Sequence, residues 1–158
     1  EWVQTLKKEH EEKILYLQGL CDKIYIGDII DRNKILSEKS VLDDILNILA
    51  SSVGSLTNAG KIANTFKSQR HISISDETVS RYVDFFIDAF MVYKSERYDI
   101  KGRKYIGSPQ KYYFSDVGLR NARINFRQIE ENHTMENILF NELIARDFNV
   151  DVGMVCIA

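Results

Sequence analysis

Basic and aromatic residues interleave between positions 94 and 113: Lys94, Arg97, Tyr98, Lys101, Arg103, Lys104, Tyr105, Lys111, Tyr112 and Tyr113. Lysine and arginine release condensed counterions from a phosphate backbone, and tyrosine can bond to phosphate oxygens. A hairpin carrying this set suits nucleic-acid contact. The same pattern equally suits a solvated strand face beside ordinary sheet aromatics. Arg81, just upstream, could read a guanine edge. The candidate DNA contacts are therefore Arg81, Lys94, Arg97, Lys101, Arg103, Lys104 and Lys111. From Lys94 to Arg127 nine Lys/Arg stand against three Asp/Glu, a local net of +6, while residues 128–158 carry a net of −5.

Other chemistries find less support. No Gly-rich turn ends in Gly-Lys-Ser or Gly-Lys-Thr, and Gly60-Lys61 is followed by Ile62. His10, His71 and His133 have no partner at metal-ligand spacing, which reads as three surface histidines. Cys21 and Cys156 are far apart and read as free thiols of a reducing compartment. Glu136 and Glu142 sit six residues apart on an expected helix, the ordinary pattern of solvated helix acids. No set of side chains supports a hydrolytic triad.

Helices and a hairpin must position these residues. Residues 1–35 read as a helical arm interrupted at Gly27-Asp28. Ser40 is an expected N-cap for a helix burying Val41, Leu42, Ile45, Leu46, Ile48 and Leu49. Thr57 is expected to cap a short helix with Ala59, Ile62, Ala63 and Phe66 inward, followed by a basic linker over residues 67–71. Ile72-Ser73-Ile74 alternates and predicts a short strand. Ser75 caps the next helix, where Val79, Tyr82, Val83, Phe86 and Phe90 hold helical spacing as core. Its outward positions carry Asp76, Glu77, Asp84 and Asp88 against Arg81, a poor surface for phosphate. Residues 91–98 and 111–114 form the hairpin arms, and Ser115 or Asp116 caps a short helix through Leu119. A last helix from near Thr134 turns Ile138, Leu139, Leu143 and Ile144 to one side, and residues 148–155 alternate as a strand.

The expected fold is mainly α with a small β component. A winged helix-turn-helix (37–127) follows the helical arm (1–36), and a truncated helix–strand unit (128–158) follows it. At 158 residues, 44% hydrophobic and 28% charged, the chain has the composition of a globular protein. No apolar run approaches the roughly 20 residues of a membrane span, and no signal peptide is visible. The chain begins with Glu1 rather than methionine, as a fragment or processed product would.

Several blocks resemble a known family: Gly27-Asp28-Ile29-Ile30 with Arg32, Leu36-Ser37, Ser75 with Thr78-Val79 and Tyr82-Val83, and Asp88-Ala89-Phe90. The more specific ones are Lys111-Tyr112-Tyr113-Phe114-Ser115-Asp116 with Gly118-Leu119-Arg120-Asn121, and Glu136-Asn137 with Asn141-Glu142-Leu143. Together, from Asp28 to Val152, they resemble the C-terminal half of a prokaryotic family of AAA-type ATPases. Members carry a P-loop module, a winged helix and a nuclease-like domain of unknown function. The resemblance implies a cytoplasmic protein that uses ATP and Mg²⁺ in its full length, with no cofactor on this chain. It also implies that Glu136 is the remnant of a restriction-endonuclease-like motif, incomplete here. Two functions remain open at this point: weak DNA binding through the basic wing, or docking against the protein's own ATPase module or a partner chain. Neither involves a membrane.

Overall fold

The computed structural model describes residues 10–35, 39–98, 109–127 and 131–153. Helix α1 (His10–Leu20) passes through a π-helical turn (Cys21–Ile26) into α2 (Gly27–Asn33). Gly27-Asp28 therefore does not interrupt the arm: Ile26 is right-handed helical at φ −68° and ψ −40°, and the π turn absorbs the change of register. Cys21 lies buried there, and burial pushes its thiol up to about 11, against the lowering influence of Arg123.

Helix α3 (Lys39–Ser51) is the centre of the core, with Leu42, Ile45, Leu46 and Leu49 fully buried. Ser40 sits inside its first turn rather than capping it. Helix α4 (Ala59–Arg70) is capped by Asn58, whose side chain accepts from the Lys61 N–H at 2.9 Å. Thr57, the expected cap, is buried and instead forms a β-bridge with Gln110. Residues 67–70, expected as a linker, are the last turn of α4. There Arg70 donates twice to Asp44 of α3, each bond 2.6 Å long.

Helix α5 (Asp76–Asp88) is capped by Ser75 as expected, and buries Val79, Tyr82, Val83 and Phe86. Phe90 does not join them. The helix ends at Asp88, the Phe90 and Met91 N–H groups donate back to Ile87 and Phe86, and Phe90 takes a left-handed φ of 54°. The helical period stops there, leaving Phe90 74% exposed.

Strand β1 (Val92–Ser95) pairs antiparallel with β3 (Lys111–Phe114), with Val92 opposite Phe114 and Ser95 opposite Lys111. Continuing that register would place Arg97 opposite Pro109, which has no N–H to give. The chain switches partner instead: β2 (Arg97–Tyr98) pairs in parallel with β4 (Val152–Gly153). The other edge of β3 is also occupied. Gly54 N–H donates to Tyr112 O, Thr57 exchanges backbone bonds with Gln110, and the Asn137 side chain meets Phe114. That leaves no place on this edge for a strand at residues 72–74, which are irregular; Ile72 is exposed while Ile74 packs against the core.

Asp116 caps α6 (Val117–Arg123) by accepting from the N–H groups of Gly118 and Leu119. Helix α7 (Glu131–Ala145) lies on β3. Its buried side is Asn137 and Phe140, flanked by Asn141 and Ile144, so Ile138 and Leu139 point outward, contrary to the expected apolar face. Residues 148–151 are irregular rather than strand, and the remainder of the expected strand beyond Gly153 lies outside the described residues. The architecture is mainly helical with small sheets.

Candidate functional site

Alternation along β3 sends Lys111 and Tyr113 to the face covered by α7, while Tyr112 and Phe114 meet the helical core. Lys111 Nζ donates to Glu136 Oε1 at 2.6 Å, and Tyr113 Oη donates to the same oxygen at 2.6 Å. Phe140, one turn along α7, stacks on Tyr113 with ring centroids 4.1 Å apart. Burial alone would raise the Glu136 carboxyl. Donation from Lys111 and Tyr113, with the charges of Lys111 and His133, outweighs burial and holds it below the ordinary carboxylate range. Burial, reinforced by Glu136, pushes the Tyr113 hydroxyl upward, so it stays a donor.

The loop after α3 closes over this cluster at Gly54. A Cβ there would stand 2.9 Å from His133 Nδ1 and 3.1 Å from Glu136 Oε2, and the φ of 71° suits glycine. A cavity of about 250 Å³ adjoins, lined by Ser95, Lys111, Tyr113, Glu136, Phe140 and Asp151 among others. With its lysine and tyrosine partners satisfied, the Glu136 carboxylate holds helix to sheet rather than presenting an unpaired base. Glu142 is separate, paired with Arg146 at 2.6 Å on the solvent side. Among the described residues no group of three or more His, Cys, Asp or Glu is placed to hold a metal.

Beside Glu136, Asn137 is 1% exposed and matches both backbone groups of one strand residue. Its Oδ1 accepts from Phe114 N–H at 2.9 Å and its Nδ2 donates to Phe114 O at 2.7 Å. Asn141 Nδ2 adds bonds to Phe114 O and Ser115 O. The two asparagines, four apart on one helical face, extend the edge of β3 with side-chain amides.

Four of the seven expected DNA contacts fall on described residues. Arg81 is exposed on α5, its guanidinium 5.6 Å from the Tyr82 ring centroid. Lys94 lies on β1 with Nζ 3.6 Å from Glu96. Arg97 lies beside Val152 of β4, and Lys111 is committed to Glu136. Lys101, Arg103 and Lys104 fall outside the described residues.

Two arginines counted in the +6 segment are structural. Arg120, buried, donates from Nε to Ala50 O at the C-terminal end of α3, satisfying a carbonyl that helix geometry leaves open. Arg123 donates to Asn47 and Asp43 of α3 and to Asp22 of the π turn. Local charge alone gave no sign of these roles; the i, i+3 pair within Gly-Leu-Arg-Asn-Ala-Arg was the available signal.

Residues 2–130 match the model of a family described as a domain of unknown function (DUF8612). The chain belongs to that family. The DUF8612 match ends one residue before α7 begins. An uncharacterized protein of Haemophilus influenzae is similar, 38% identical over 137 residues covering 87% of this chain and 34% of its own length. The uncharacterized protein MJ1544 of Methanocaldococcus jannaschii is 29% identical over 147 residues, 91% of this chain and 31% of its own. The DUF8612 chain thus spans about a third of the length of these curated relatives. No solved structure matches it. Among the described residues no helix is long and apolar enough to cross a membrane.

Proposed function

We propose that this chain is a non-catalytic docking module of a longer protein, built on a winged helix-turn-helix. The exposed side of α7 carries this reading. Met135, Ile138 and Leu139 recur at helical spacing, with Phe148 just past the helix, and each is more than half exposed. Solvated apolar side chains grouped on one helix mark a surface that another polypeptide covers. The acids on the outer positions of α5 also suit protein better than phosphate.

The winged-helix assignment is supported by the order α3, bridge at Thr57, α4, α5, β1, β3. In this reading the single bridge at Thr57 serves as the first strand. The resemblance to AAA-type ATPases makes the docked polypeptide an ATP- and Mg²⁺-using motor in a cytoplasmic protein, or a nuclease-like continuation from α7 and β4.

The paired change Ile138→Ser and Leu139→Ser tests it. In the 158-residue chain, melting should be unchanged, because both side chains already face water. In a full-length chain carrying this sequence, the same changes should lower Tm by several degrees, about 2–4 °C per kcal/mol lost in a domain of 150–250 residues. An unchanged Tm in both would contradict the reading.

A second reading, weak DNA binding through the wing, is favoured by the β1–β3 pairing, whose arms flank the segment bearing Lys101, Arg103 and Lys104. Mobility shift at low salt should then detect binding that weakens in the Arg103→Ala, Lys104→Ala variant. Undetectable binding, or none lost in the variant, would end this reading.

A further inference from the structure

A groove of about 600 Å³ lies between α2 and the C-terminal end of α5, with Asp28, Ile29 and Arg32 on one wall and Phe85, Asp88 and Phe90 on the other. Three features of this small region run against local stability. Phe90 occupies the left-handed position after a helix, where glycine is usual and a Cβ is strained. Its ring is 74% exposed. The last turn of α5 holds Asp88 and no basic residue, although the negative end of the helix dipole favours a cation. Among the described residues no ion pair engages Asp28, Arg32 or Asp88.

One kind of occupant relieves the last two features together. The two carboxylates outnumber Arg32 on these walls, so a lysine or arginine beside Asp28 and Asp88 would complement the remaining negative charge and the helix terminus, and an apolar neighbour of that cation would cover the Phe90 ring. We propose that this groove receives a basic–apolar polypeptide segment of the same longer protein, lying outside residues 1–158. The source follows from length: the matched relatives carry about two thirds of their residues outside the aligned region. The inference rests on the docking-module reading and gives it a specific second surface, on the side of the arm rather than on α7.

Photocrosslinking in the full-length protein tests it, with Phe90 replaced by p-benzoylphenylalanine to keep an aromatic ring at that position. The expected product is an intramolecular adduct to a segment outside residues 1–158 with lysine or arginine within a few positions. Adding Asp28→Lys and Asp88→Lys should cut its yield about fivefold, equivalent to about 1 kcal/mol. Adducts confined to residues 1–158, adducts to a second copy or another protein, or no adduct would overturn the proposal. A yield insensitive to charge reversal would overturn the basic character of the segment. Loss of Tm in the full-length Ile138→Ser, Leu139→Ser variant, with no adduct at position 90, would remove the groove alone and leave the docking module standing.

Discussion

Asn137 shows how one side chain can fix a helix against a strand. Its amide replaces a neighbouring strand at Phe114, and its removal strands a buried N–H while leaving the carbonyl to Asn141. Asn137→Ala should therefore destabilise the chain by roughly 1–3 kcal/mol, the range for an unsatisfied buried donor, as read by urea denaturation. Next to it, the Glu136 carboxyl is held below its ordinary value of 4.5. A depressed carboxylate contributes stability above its unfolded value and loses it as pH falls through the folded one. The stability advantage of the wild-type chain over Glu136→Gln should be full at neutral pH and close progressively below the ordinary carboxylate range. An advantage that held constant into strong acid would show that the Lys111–Glu136 contact is not formed. In the sequence Glu136 reads as a solvated helix acid, and as a motif remnant only through the family resemblance, because partners 23 and 25 positions away leave no local periodicity. The basic residues misled for the same reason: Lys111, Arg120 and Arg123 count as surface charge until the fold supplies their carboxylates and carbonyls.

At the scale of elements, Arg123 joins three of them. It reaches the π turn through Asp22 and α3 through Asp43 and Asn47, with its own side chain 10% exposed. Arg123→Ala should cost roughly 2–3 kcal/mol, below the full value of a buried pair because Asp22 is 46% exposed. Hydrogen exchange should show the loss concentrated in α1 and the π turn. The end of α5 gives a prediction of opposite sign. In the 158-residue chain Phe90→Gly removes left-handed strain of about 1–2 kcal/mol, offset by about 0.5–1 kcal/mol of added chain entropy. A net stabilisation of between zero and about 1.5 kcal/mol should appear in thermal melts, since little packing is lost from an exposed ring. Helices α3 and α5 were legible because their apolar residues repeat at helical spacing and Ser75 supplies a cap. The period was also what failed at Phe90, where a left-handed residue ends it. It failed in α7 too, where a polar residue, Asn137, holds the inward position and apolar ones face out. Pro109 is the sequence signal that could have predicted the change of strand partner after Ser95.

For the molecule as a whole, the helical core is buried while apolar side chains stay exposed at two surfaces. The groove beside Phe90 and the outer side of α7 both place apolar carbon in water, and the relatives are about three times as long as this chain. Composition and hydropathy could place the core, but not these surfaces: Ile138 and Leu139 look like core residues in any single-sequence pattern, and only the placement of Asn137 and Phe140 turns them outward. Hydrogen exchange across Glu131–Ala145, compared between the 158-residue chain and a full-length chain containing it, tests the docking module most directly. The account predicts that the α7 amides exchange markedly more slowly in the full-length protein, because a covered helix opens less often. Equal exchange of α7 in the two proteins would contradict it.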